Sequence, residues 1–124
     1  MRPAAKPRTI IVVDDQPDFL EFARTRLARD GTLAVIGEAT SGAAALELVH
    51  RMASNLDGVL LDVEMPGMDG LETARRLRAV APAVRIILTS ASDAPGYATA
   101  AARIGAMFLS KRDLSAEAVL DLLD

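Results

Sequence analysis

Acidic, hydroxyl and amine side chains recur in this chain at the ends of short apolar runs. Asp14-Asp15 follows Ile10 to Val13, Asp62 follows Gly58 to Leu61, Thr89-Ser90 follows Arg85 to Leu88, and Ser110-Lys111 follows Met107 to Leu109. Singly, each is ordinary: Asp15 could cap a helix, and Lys111 could be a solvated loop lysine. Asp62 is harder to dismiss, because it lies between Leu61 and Val63, where an ionised carboxylate needs a partner or a metal. Three carboxylates gathered in one place repel one another unless protons or a cation relieve them. Cysteine is absent, and the single histidine, His50, reads as a surface or helix-end residue. The cation implied is a hard one with oxygen ligands, and Mg2+ suits one or two carboxylates plus waters and a phosphate. A lysine and a small hydroxyl supply what the oxygens of a phosphoryl group require. The set points to an aspartate that accepts a phosphoryl group with the help of Mg2+ or Mn2+.

These residues can meet only if the runs that carry them lie side by side. Thr9–Val13, Leu33–Gly37, Gly58–Leu61, Arg85–Leu88 and Met107–Leu109 are short and mostly apolar, as expected of strands covered on both faces. Ile10 to Val13 are all β-branched, which favours strand over helix. Helical patterns alternate with them. The first opens at Gln16-Pro17, stops before Gly31 and presents Leu20, Ala23 and Leu27 on one face. The second runs from Gly42 to Met52 and buries Ala45, Leu46 and Val49. The third has Asp69 as cap with Glu72 following and stops before Pro82. A fourth, rich in alanine, covers Gly96 to Ile104, with Tyr97, Ala98, Ala101 and Ile104 either core or partner-facing. The fifth has Ser115 as cap, with Leu114 placed to staple against Val119. Five such units predict an α/β fold, a doubly wound parallel sheet with helices on both faces. Periodicity leaves the strand order open. The site belongs outside the carboxyl ends of the strands, where that order reverses.

Length and composition bound the alternatives. The 124 residues suffice for one domain with a real core, and 51% hydrophobic residues with 25% charged ones is a folded composition. The net charge of −3 argues against a bulk nucleic-acid binder. No apolar run reaches the roughly 18–20 residues of a membrane span, and Ile10 to Val13 is too short for a signal-peptide core, so the cytoplasm is the expected compartment. Residues 1–8, with Arg2, Lys6 and Arg8 beside two prolines, are expected to form a frayed basic tail ahead of one domain over 9–124.

Val13-Asp14-Asp15, the segment from Leu61-Asp62-Val63 to Asp69-Gly70, Ile87-Leu88-Thr89-Ser90 and Gly105-Ala106 leading to Ser110-Lys111 occur in this order. On these residues the chain, from Thr9 onward, resembles the receiver domain of bacterial two-component response regulators. The resemblance implies a flavodoxin-like (βα)5 fold with strand order 2-1-3-4-5. It implies Asp62 as the phosphoacceptor for a sensor histidine kinase. Asp15, Asp62 and the backbone carbonyl of Glu64 would hold the metal, with Asp14 acting mainly through water. Lys111 would pair with a phosphoryl oxygen, Thr89 would move its hydroxyl onto another, and Phe108 would turn inward with it. Glu64 and Ala91 would tune the lifetime of the acyl phosphate. The surface of the fourth helix, fifth strand and fifth helix would then change, controlling an output domain or downstream protein. The resemblance further implies a homodimer on phosphorylation and no direct contact to nucleic acid or membrane by this domain.

Two departures from the family pattern stand out. Arg112 follows Lys111 where many relatives have a proline joined by a cis bond, a geometry that costs about 2.5–4 kcal/mol before any other residue. Ser90 follows Thr89 where alanine or glycine is common, so its hydroxyl either narrows the pocket or adds a contact. Gly37-Glu38-Ala39 and Phe108 to Leu114 resemble receivers fused to helix-turn-helix DNA-binding domains, and the end on Leu122-Leu123-Asp124 suggests a piece of a longer transcriptional regulator. The competing reading is a receiver that works through a fixed surface without phosphorylation. A phosphatase acting on small substrates would need a cap for which there is no room, so the chain is not expected to be an enzyme beyond its own phosphorylation and dephosphorylation. A flavodoxin-like nucleotide binder would need a glycine-rich loop after the first strand, and none is present.

Overall fold

A computed structural model describes residues 6–92 and 96–124. Five strands, β1 (Arg8–Val13), β2 (Leu33–Ala39), β3 (Gly58–Asp62), β4 (Arg85–Ser90) and β5 (Met107–Ser110), form one parallel sheet in the order β2-β1-β3-β4-β5. Five helices connect them: α1 (Pro17–Ala28), α2 (Gly42–Met52), α3 (Gly70–Val80), α4 (Tyr97–Arg103) and α5 (Ala116–Leu123).

Because side chains alternate across a strand, each buried strand feeds two cores. Ile11, Val13, Val59, Leu61, Ile86 and Leu88 face α2, α3 and α4, meeting Ala45, Val49, Ala74, Leu77 and Ala101. Ile10, Val12, Leu60 and Ile87 face the opposite way, onto Leu20, Ala23 and Leu27 of α1 and Val119 and Leu123 of α5. The apolar runs read from sequence are uninterrupted because both faces are covered. Leu46 is only partly buried, unlike its helix neighbours Ala45 and Val49. Tyr97 and Ile104 pack against the core, whereas Ala98 is exposed.

Caps set the helix starts. Ser41, Asp69 and Ser115 accept hydrogen bonds from the amides of Ala44, Glu72 and Ala118. Glu72 does not close the capping box: its carboxylate pairs with Arg75 and Arg76 instead. Leu114 and Val119 are both buried in one cluster, as a staple requires. β1 begins one residue earlier than the sequence suggested. Arg8 belongs to it, and its guanidinium binds Asp57, the carbonyl of Leu123 and the carboxylate of Asp124, so Arg8 is not part of a frayed tail. Residues 1–5 of that expected tail lie outside the described residues. β2, β3, β4 and β5 each run one or two residues past the expected ends, so Asp62 and Thr89-Ser90 belong to the strands themselves.

Candidate functional site

The register of the sheet assembles the site. Val13 pairs with Leu61, so Asp14, the next residue along, emerges beside Asp62. Asp62 pairs with Thr89, and Ser90 with Ser110, which brings Lys111 to the same rim. The carboxylates of Asp14, Asp15 and Asp62 offer oxygens within 4.8 Å of one another. Lys111 Nζ lies 2.6 Å from Asp14 Oδ2 and 3.5 Å from Asp62 Oδ1. The second oxygen of Asp14 accepts the amide of Gln16 at 2.9 Å. An open cleft of about 510 Å³ lies above, bounded by Asp15, Phe19, Asp62, Glu64, Ala91 and Lys111 among others.

Asp14 and Asp62 are buried, whereas Asp15 is half-exposed. Burial pushes the Asp62 carboxyl up to about 6, and the charge of Asp14 adds to this. Lys111 and the Glu64 amide pull it partly back. One ammonium cannot neutralise three acids. Such an oxygen donor set fits a hard divalent cation, whose charge would favour the ionised form of Asp62.

Glu64 sits exposed on the loop after β3, and Ala91 is exposed just beyond β4. The Ser90 hydroxyl donates to the Glu64 carboxylate and accepts the Ser92 amide at 2.9 Å. Of the two possibilities for Ser90, then, it adds a contact. Thr89 is 1% exposed, and its Oγ1 has no hydrogen-bond partner. Phe108 is half-buried, its ring tilted against Tyr97 with 5.9 Å between centroids. No cis peptide bond occurs among the described residues, so Lys111-Arg112 is trans and opens a short 3-10 turn.

Three contributors were missed by sequence reasoning. The Gln16 amide binding Asp14 is a two-residue Asx pattern and could have been read from the chain. Gly70 was noted only as part of a motif. A Cβ there would lie 2.1 Å from the Asp62 carbonyl oxygen and 2.7 Å from Val63 Cα, so α3 can begin against the end of β3 only with glycine. The Phe19 ring lies beneath Lys111 Nζ, 4.1 Å from ring centroid to nitrogen, a contact that depends on two elements far apart in sequence.

Fold and rim together define a class: a doubly wound parallel sheet with a cluster of three carboxylates, able to hold a metal ion, and a lysine at its switch point. The sequence matches the response regulator receiver domain over residues 10–123, and the chain belongs to that family. It is 41% identical over 116 residues to the probable transcriptional regulatory protein NarL of Mycobacterium tuberculosis, covering 93% of this chain and 53% of that protein. The chain thus spans about half the length of the curated relatives it matches. The signal receiver domain of the putative response regulator NarL from the same species superposes with a TM-score of 0.85 at 38% identity, covering 96% of this chain and 98% of that one. A CheX–CheY–BeF3–Mg2+ complex from Borrelia burgdorferi superposes with a TM-score of 0.81 at 25% identity, covering 94% and 87% of the two chains.

Proposed function

We propose that Asp62 accepts a phosphoryl group from the phosphohistidine of a sensor histidine kinase and that the domain signals through this modification. The observation that carries the reading is the buried Asp62 carboxyl, flanked by Asp14 and Lys111, with the unpartnered hydroxyl of Thr89 on the register-paired residue. A carboxylate oxygen of Asp62 attacks phosphorus as the P–N bond breaks, leaving its electron pair on the imidazole. Lys111 pairs with one phosphoryl oxygen. Thr89, whose hydroxyl has nothing to release, turns to another, and Phe108 follows it inward. Hydrolysis of the acyl phosphate restores Asp62, with Glu64 and Ala91 beside the path of the attacking water.

Asp15 and Asp62, with the Glu64 carbonyl, would hold Mg2+, and Asp14 would act mainly through a bound water. The ion supplies charge neutralisation for the entering group. The BeF3 and Mg2+ named with the Borrelia CheY complex support this reading. The phosphoryl group adds close to two negative charges. Its contacts exist in only one state and therefore bias the α4–β5–α5 surface toward another arrangement. Acting in the cytoplasm, the domain would control a DNA-binding output, as the NarL likeness suggests, in some cases through a phosphorylation-dependent homodimer. It turns over no separate substrate. Incubation with acetyl phosphate and Mg2+, followed by intact-mass measurement, should give one phosphoryl adduct that Asp62→Asn abolishes. A wild-type protein without an adduct overturns the proposal and favours a module that works without phosphorylation.

A further inference from the structure

Lys111 is held by three groups of two kinds: the carboxylates of Asp14 at 2.6 Å and Asp62 at 3.5 Å, and the face of Phe19 at 4.1 Å from the ring centroid. Its side chain is 16% exposed and lines the open cleft. Resting on the preceding reading, the ammonium must turn from the carboxylates to a phosphoryl oxygen. An aromatic face attracts a cation through its quadrupole, without a formal charge of its own and without competing for the phosphoryl group. Phe19 is well fixed for this. It follows Pro17 in the first turn of α1, packs partly into the core beneath the sheet, and meets the Phe22 ring at a 40° tilt with 6.2 Å between centroids.

We propose that Phe19 is a positioning residue for Lys111: its ring is a neutral platform that keeps the ammonium in the cleft while its anionic partner changes. The residue acts through Lys111 and does not touch the reacting atoms. In packing terms alone, any apolar side chain of similar volume would serve at position 19. The platform role requires the electron-rich ring.

Site-specific replacement of Phe19 by phenylalanines of increasing ring fluorination separates the two. Volume changes little across that series, whereas the attraction for a cation falls. The rate of phosphorylation by acetyl phosphate should decline stepwise, by roughly three- to tenfold at the most fluorinated member, with the melting temperature unchanged. In metal-free protein, the Lys111 side-chain proton resonances should lie upfield through the ring current, return toward ordinary positions in Phe19→Leu, and stay upfield in Phe19→Tyr. A flat rate across the Phe19 series, or unshifted Lys111 resonances in the wild type, overturns the platform while leaving phosphorylation of Asp62 standing. Absence of any wild-type adduct instead overturns the function on which it rests.

Discussion

Replacing Asp62 by asparagine should stabilise the metal-free fold, although it removes the central residue of the site. In the native chain the Asp62 carboxyl keeps its proton to about pH 6, against an ordinary value of 3.8. Between those values the native state binds more protons than the unfolded chain, so stability falls as the pH rises through the window and stays reduced above it. Two pKa units correspond to about 3 kcal/mol at most. Asparagine retains the shape and removes the charge, but its amide also needs partners, so a gain of about 1–2 kcal/mol is expected at pH 8 in a chelator. That gain should raise Tm by roughly 4 °C per kcal/mol. Lys111 is not orphaned, because Asp14 holds it. Saturating Mg2+ should reverse the order: a ligand at a hundred times its Kd adds about 2.7 kcal/mol to the wild type, and the variant should gain much less. Urea unfolding at pH 8 and below pH 4, with chelator or Mg2+, checks all three limbs. A variant less stable than wild type in chelator at pH 8, or an offset that persists unchanged below pH 4, would refute the assignment of burial and Asp14 as the source of the shift.

Other perturbations probe neighbouring features. Thr89→Val removes a buried hydroxyl that has no partner and should raise stability by about 1 kcal/mol in urea unfolding while uncoupling phosphorylation from any change at Phe108. Gly70→Ala forces a Cβ against the Asp62 carbonyl and should cost about 3 kcal/mol or more, with loss of Mg2+ affinity by calorimetry. Arg8→Ala breaks ion pairs at the surface and should cost no more than about 1 kcal/mol, an effect that shrinks as salt is added to the melt.

The layout of the sheet was legible because both faces are covered. Uninterrupted runs such as Ile10 to Val13 read as buried strands, and the caps at Asp69 and Ser115 mark the starts of two of the helices between them, whereas the Ser41 cap was not read. Strand ends were read short because polar residues look like boundaries, whereas Asp62, Thr89 and Ser90 still pair within the ladder. The acids and Lys111 were visible as types at strand ends, but their convergence depends on a strand order that only the family likeness supplied. Arg8 was misread because its partners, Asp57 and the end of α5, are remote in sequence. Phe19 was passed over for the same reason. Its ring meets Lys111 only once α1 and the end of β5 share a face.

The Arg8 clamp has a geometric corollary. By tying the opening residue of β1 to the last turn of α5, it brings the described chain's two extremes to one pole of the sheet, while the acidic cleft occupies the other. A dye or purification handle appended after Asp124 would therefore sit a full strand length from the chemistry. Any change it reported on phosphorylation would have travelled through the body of the fold.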